Sequence, residues 1–234
     1  MVKTLPKINA RYWLSLIAAS ILGTNTGDFV SGYLHLGHLV GLPFLAGLLV
    51  IIFLAEKMSP FASSLFFWAA IITVRTAATN IGDAFRDFGI DFNLSLPIVF
   101  AIFFTSVLVY RGLYKSNNNP GGSVRVSPIY WICMMLAGVL GTIGGDYASF
   151  GLGLMPIGAA LVFGIIVGAM LYWGRNGRLV QPEYYWTMLA LIRTGGTAAG
   201  DSLAHDVFGL PLSTAVTGFI FGGIVIYFYG LEKG

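Results

Sequence analysis

The stretch Leu22-Gly23-Thr24-Asn25-Thr26-Gly27-Asp28 returns as Leu140-Gly141-Thr142-Ile143-Gly144-Gly145-Asp146. A second form, Arg75-Thr76-Ala77-Ala78-Thr79-Asn80-Ile81-Gly82-Asp83, returns as Arg193-Thr194-Gly195-Gly196-Thr197-Ala198-Ala199-Gly200-Asp201. All four contain T-x-x-G-D, and a tryptophan stands 15 residues before each aspartate, at Trp13, Trp68, Trp131 and Trp186. A proline follows each string, at Pro43, Pro97, Pro156 and Pro211, where a missing N–H suits a helix start. This self-similarity predicts four tandem units in two duplicated halves, 1–117 and 118–234, offset by 118 residues.

Composition sets the solvent. Of 234 residues, 56% are hydrophobic and 10% charged, with a mean hydropathy of +0.80. Soluble domains carry about a quarter charged residues, so the chain reads as a membrane protein in contact with lipid. Thirteen Lys and Arg spread along it make no phosphate-binding face, which excludes a nucleic-acid partner. The single cysteine, Cys133, lies in an apolar run and supports neither a disulfide framework nor structural zinc. The basic start followed by Arg11 to Leu22 resembles a signal peptide, but that apolar segment belongs to the repeat and is expected to be retained.

Eight apolar runs, near 11–30, 43–57, 65–85, 97–112, 129–148, 156–174, 185–205 and 211–230, predict an all-α membrane protein of eight transmembrane helices in one membrane domain. The second and fourth runs are short and need neighbouring loop residues to extend them. Lys3, Lys7, Arg11, Lys57, Arg111, Lys115, Arg125, Arg175, Arg178 and Lys233 fall on the side of the N-terminus, as do Glu56, Glu183 and Glu232, while every aspartate falls toward the other side. Positive-inside bias then places both termini in the cytoplasm. With two crossings per unit, all four units enter the membrane in the same direction, giving parallel repeats around a pseudo-fourfold axis.

The four T-x-x-G-D strings with their tryptophans resemble a family of bacterial integral membrane proteins built from four tandem copies of a repeat of unknown function, each with two transmembrane segments and a tryptophan. The resemblance covers nearly the whole chain and implies this fold in a bacterial inner membrane. It implies no activity.

Residues four apart share a helix face, so Asp28–Thr24–Ser20, Asp83–Thr79–Arg75, Asp146–Thr142–Gly138 and Asp201–Thr197–Arg193 form polar ladders. Each ionised group at the bilayer centre costs about 2.5–3.5 kcal/mol on insertion scales, so these groups must face one another, water or an ion. Clustering Asp28, Asp83, Asp146 and Asp201 against Arg75 and Arg193 leaves a charge of −2, which one divalent metal ion or two protons would neutralise. Carboxylates with Thr24, Thr79, Thr142, Thr197 and the amides of Asn25 and Asn80 suit hard cations. Without an ion, the carboxylates hold protons and act as a proton carrier. The reading is a transporter or channel for a small cation, with the four aspartates as ligands and Arg75 and Arg193 balancing charge or gating. No cofactor beyond a divalent metal is implied.

Other readings keep weight. Arg75 and Arg193 at mid-membrane would suit a small anion or zwitterion, or serve as structural salt-bridge partners, and a non-transporting scaffold or sensor would seal the axis and splay the aspartates outward. An enzyme has no support, for the sequence shows no nucleophile–base pair, H-E-x-x-H or phosphate loop. The tryptophans read as interfacial anchors or packing residues. His35, His38 and His205 with Asp206 are weak candidates for loading a metal at an outer mouth made negative by Asp87, Asp91 and Asp206. Small residues four apart at Gly23/Gly27, Ala78/Gly82, Gly141/Gly145 and Gly196/Gly200, and again at Gly164/Gly168 and Gly218/Gly222, predict close helix packing. The Gly-rich outer faces also suit a homodimer.

Overall fold

A computed structural model describes residues 5–59, 63–115 and 124–230. Lys3, Glu232, Lys233 and the expected boundary at 117/118 lie outside the described residues, as does the side chain of Lys115. The described chain is all-helical: α1 (Ala10–Asp28), α2 (Gly41–Met58), α3 (Ser64–Asp87), α4 (Phe92–Lys115), α5 (Pro128–Asp146), α6 (Met155–Gly174), α7 (Pro182–Asp201) and α8 (Leu210–Tyr229).

Local chemistry starts each helix. Asn9 Oδ1 accepts from the Arg11 and Tyr12 N–H groups at 2.9 and 3.2 Å, Ser63 Oγ from Leu65 at 3.2 Å, and Ser127 Oγ from Tyr130 at 3.2 Å. These are side-chain N-caps, satisfying donors that have no partner within the helix. Pro156 and Pro211 sit in the first turns of α6 and α8, as the spacing predicts. α4 differs: it begins five residues earlier, at Phe92, and holds Pro97 inside. Asp91 explains the shift, because its Oδ1 accepts from Asn93 N–H at 2.7 Å and nucleates the helix ahead of the proline. Both short apolar runs are extended, α2 to 18 residues and α4 to 24.

Six helices, α2 to α6 and α8, are long and apolar enough to cross a membrane; α1 and α7 fall outside that set. Serines, threonines and Asn25 lower the apolarity of α1, yet Ser15, Ser20, Thr24 and Asn25 are all buried. Burial separates two layers. In their spanning windows α3 and α5 are 72% and 67% buried, against 11% for α2, 22% for α4, 17% for α6 and 22% for α8. The inner helices close a ring, α1 on α3, α3 on α5, α5 on α7 and α7 on α1. Each outer helix packs chiefly on the inner helix that follows it, α2 on α3, α4 on α5 and α6 on α7, while α8 returns to α1.

The ring is tight because its contacts are glycine on threonine. A Cβ added at Gly27, Gly82 or Gly145 would lie 2.7 Å from the Cβ of Thr79, Thr142 or Thr197 respectively, and one at Gly200 would lie 3.0 Å from that of Thr24. The small-residue pairs of the inner helices are thus the points where backbones meet. The outer pairs are not. A Cβ at Gly164, Gly168 or Gly222 meets no atom within 4 Å, and one at Gly218 meets only Leu22 Cδ1 at 3.7 Å. The close packing expected for them is corrected, since only Gly218 approaches a neighbouring helix, and that at ordinary van der Waals distance.

At the tryptophan end the ring is closed by aromatics. Trp68 packs on Tyr12, Trp131 on Phe67, Trp186 on Tyr130 and Trp13 on Tyr185, with centroids 5.5, 5.9, 5.5 and 5.4 Å apart. All four tryptophans are buried, so packing rather than interfacial anchoring describes them.

This packing predicts opposite signs for two glycine substitutions. Gly145→Ala, whose Cβ would also come within 2.9 Å of the Thr194 carbonyl oxygen, should lose about 1–3 kcal/mol through overpacking. Gly168→Ala should gain up to about 1 kcal/mol through helix propensity. Thermal unfolding in detergent micelles reads both.

Candidate functional site

The four aspartates end the α-helical ladders. After Asp28, Asp146 and Asp201 the backbone widens into π-helical turns, Phe29–Tyr33, Tyr147–Gly151 and Ser202–Val207, whereas α3 continues regularly from Asp83 to Asp87. π-Turns inside helices recur where side chains must be re-aimed, frequently at functional sites. Asp28, Asp83, Asp146 and Asp201 line one cavity of about 150 Å³ together with Thr24, Thr79, Thr142 and Thr197. Arg86, Phe150 and His205 line it too, and their exposure marks the mouth. The two rungs expected to converge do so.

Beneath the cavity lies Arg75, which is fully buried and does not itself line it but bonds to three of the threonines that do. Its Nη2 donates to Thr24 Oγ1 at 2.7 Å and Thr197 Oγ1 at 2.6 Å, and its Nη1 to Thr142 Oγ1 at 2.9 Å and the Gly138 carbonyl at 3.2 Å. One cation carried by α3 is thereby bonded to α1, α5 and α7. The hydroxyls are suited to accept, because Thr24 and Thr197 donate their own protons back to the Ser20 and Arg193 carbonyls at 3.2 and 3.1 Å. Thr79 lies on the same helix as Arg75 and donates to the Arg75 carbonyl at 3.3 Å. Charged hydrogen bonds of this kind contribute about 1.5–3 kcal/mol each.

Arg193, the counterpart of Arg75 in the second half, is equally buried but does not line the cavity. Its Nη2 lies 3.7 Å from Met134 Sδ, and its Nε and Nη1 have no hydrogen-bond partner among the described residues. It neighbours the phenols of Tyr12, Tyr130 and Tyr185. Tyr185 Oη is 2.5 Å from Tyr12 Oη and 2.9 Å from Tyr130 Oη, so the tyrosines form a hydrogen-bonded cluster inside the aromatic closure. Neither arginine forms an ion pair with an aspartate among the described residues, so salt bridging is not their role.

The cation that meets the aspartates is Arg86. Its Nη1 lies 3.3 Å from Asp146 Oδ2 and its Nη2 lies 3.6 Å from Asp83 Oδ1, bridging neighbouring inner helices. His38 approaches from the loop before α2, with Nδ1 3.8 Å from Asp83 and Nε2 3.6 Å from Asp87. The carboxylates of Asp28 and Asp201 have no ion-pair or hydrogen-bond partner among the described residues, although Asp201 is buried. The fixed charge lining the cavity is therefore four carboxylates against Arg86, with Arg75 bonded to the threonines beneath and Arg193 not reaching it. Arg86 was legible as a basic residue one helical turn beyond Asp83, and the tyrosine cluster as an aromatic residue preceding each tryptophan.

Two expected ligands turn away. Asn25 Nδ2 donates to Ser213 Oγ of α8 at 2.6 Å, and Asn80 lies beside Gly41 at the start of α2. Each asparagine follows its threonine by one residue, a rotation of about 100° that carries it from the cavity to the outer layer. Nor do three His, Cys, Asp or Glu side chains gather closely enough anywhere among the described residues to hold a metal ion. The four carboxylates share a cavity, but the compact four-aspartate metal centre expected from the repeats is not assembled, with Arg86 standing between two of them.

Two stretches of the chain, 11–59 and 129–178, match the family described as Repeat of Unknown Function (DUF347). They are the first and third of the four sequence units and contain α1 with α2 and α5 with α6. No curated protein and no solved structure matches the chain. The similarity supports an internally repeated helical membrane protein and carries no activity with it.

The Arg75 bonds separate two threonines that share the T-x-x-G-D pattern. Thr142→Val removes an acceptor of the guanidinium and should cost about 1.5–3 kcal/mol, whereas Thr79→Val, which leaves every guanidinium bond intact, should cost less than half as much. Thermal unfolding of the two variants in one detergent compares them directly.

Proposed function

We propose that this chain is a multi-pass transporter of a small cation in a bacterial inner membrane, with four two-helix units around a pseudo-fourfold axis. In this reading all eight helices cross. The polar faces of α1 and α7 are hidden by their neighbours, so their lower apolarity is no obstacle. Both termini are cytoplasmic, since Lys7, Arg11, Lys57, Arg111, Arg125, Arg175 and Arg178 cluster at the helix ends opposite the aspartates. A contact supports a common end for these groups: Arg111 near the end of α4 pairs with Glu183 at the start of α7 at 2.7 Å.

The observation that carries the proposal is that four carboxylates and four hydroxyls, one pair from each unit, line a single cavity beneath an exposed mouth. Four carboxylates against one guanidinium, Arg86, line that cavity, and charge of one sign in a low-dielectric recess concentrates counter-ions. A buried anionic recess is costly in lipid unless it serves an ion or proton path. A purely structural scaffold has no need to repeat that cost four times.

Below the cavity's threonines lies Arg75, bonded to three of them, and beyond it lie Arg193 and the tyrosine cluster. Passage toward the tryptophan end therefore requires Arg75 to leave its threonine oxygens, which makes the protein a gated carrier, with Arg75 as the gate. The cation reading fits better than the anion reading because the terminal nitrogens of Arg75 are already bonded to protein oxygens and Arg193 does not reach the cavity.

The test is flux in proteoliposomes, comparing protons, monovalent and divalent cations, and small anions. Asp83→Asn with Asp201→Asn should cut cation flux at least tenfold while the protein still folds and reconstitutes. Flux that persists in the double variant, or flux of anions alone, would sink the proposal.

A further inference from the structure

The duplicated halves make the cavity's asymmetry informative. Gly82 of α3 abuts Thr142 of α5, and Gly200 of α7 abuts Thr24 of α1 in the same way. These are equivalent interfaces, 118 residues apart in sequence, and each brings two ladders together, Asp83 with Asp146 and Asp201 with Asp28. At the first, Arg86 lays its two terminal nitrogens toward the two carboxylates, at 3.6 and 3.3 Å. At the second, the residue matching Arg86 is Ala204. Asp201, only 8% exposed, faces the cavity with no ion-pair or hydrogen-bond partner among the described residues. One edge of the cavity thus has its guanidinium built in. The opposite edge has the acceptors and no guanidinium; His205 lines the cavity on that helix but makes no ion pair with either carboxylate among the described residues.

The chemistry of the missing donor follows from what the oxygens here already hold. Both cations bonded inside the ring are planar guanidinium groups. Arg75 sits among threonine and carbonyl oxygens at 2.6–3.2 Å, and Arg86 spans two carboxylates. The carboxylates are spaced for N–H donors placed between them, whereas a bare metal ion requires several ligands around one point, and no three acidic or imidazole side chains gather in that way among the described residues. A forked, delocalised cation meets two carboxylates without being stripped of every bond it makes. The cavity of about 150 Å³ has roughly the volume of five waters in the liquid, ample for a cation of four heavy atoms.

Building on the cation-transport reading, we propose that the Asp28–Asp201 edge binds a small organic cation with at least two N–H donors, of the guanidinium class, which supplies at α7 and α1 the group that Arg86 supplies at α3 and α5. The bound cation lies above Arg75, which presents the same chemical group to the threonine ring. Cargo and gate therefore compete for one kind of oxygen cage, so that a cargo ion moving inward replaces Arg75 like for like.

The full chain in detergent micelles is titrated with guanidinium chloride at low millimolar concentration, far below its denaturing range, and in parallel with methylammonium, potassium and magnesium at matched ionic strength. Binding is read by calorimetry and by thermal shift. Saturable guanidinium binding is expected, at least tenfold weaker in Asp201→Asn and in Asp28→Asn, and abolished in Ala204→Arg, which installs the missing guanidinium. Because Ala204 is buried, the two asparagine variants decide the outcome if Ala204→Arg does not fold. Binding of magnesium or potassium alone, lost in the same variants, would overturn the substrate class and leave cation transport standing. Guanidinium binding indifferent to both asparagine variants would overturn the assigned edge, and binding of none of the four cations would overturn this inference while the flux assay, which includes protons, decides the transport reading.

Discussion

A guanidinium carried into the centre of a helix bundle needs oxygen partners, because nothing in a hydrocarbon surround replaces the water it has lost. The two terminal nitrogens of Arg75 find them on three different helices, in Thr24, Thr142, Thr197 and the carbonyl of Gly138, while its Nε has none among the described residues. The inner ring is organised around meeting that requirement. Threonine hydroxyls reach the axis only because the neighbouring position is glycine, so that the backbones stand close enough for a short side chain to span the gap. Repeating threonine four times provides acceptors around the ring, and the units have diverged so that one arginine uses three of them.

Along the axis the character of the interior changes in steps. Interlocked aromatic rings and three hydrogen-bonded tyrosines close the tryptophan end. Arg193 follows, then Arg75 in its oxygen cage, then the carboxylate-lined cavity and its exposed mouth. The interior is thus aromatic at the tryptophan end and acidic, with an exposed mouth, at the aspartate end. The outer helices supply the apolar surface that faces lipid, and they interlock the halves, since α4 packs on α5 and α8 returns to α1. The inner helices of each half pack against those of the other, α3 on α5 and α7 on α1.

Much of this was legible in the residues. Apolar runs and prolines located the helices to within a few positions, apart from α4, where Asp91 moved the start ahead of Pro97. The four-residue step from threonine to aspartate correctly placed both rungs on one face, and their common spacing from tryptophan anticipated a shared cavity. Glycine pairs on the inner helices marked close approach, but the same pattern on α6 and α8 did not, because an outer helix touches the ring on one side only.

Helical periodicity states the angle between two side chains on one helix, and it is silent on which neighbour each side meets. The sequence by itself therefore determined the helical class, the apolar surround, the repeat and the relative phase of each threonine and aspartate. Only the tertiary structure decided that Asn25 and Asn80 face the outer layer, that each outer helix sits on the next unit's inner helix, and that Arg86 rather than Arg193 joins the carboxylates. Arg75 and Arg193 occupy matching positions yet reach different surroundings. A long flexible side chain goes where the packed neighbours leave oxygens unclaimed, and that is a property of the assembled ring, not of the string of residues that builds it.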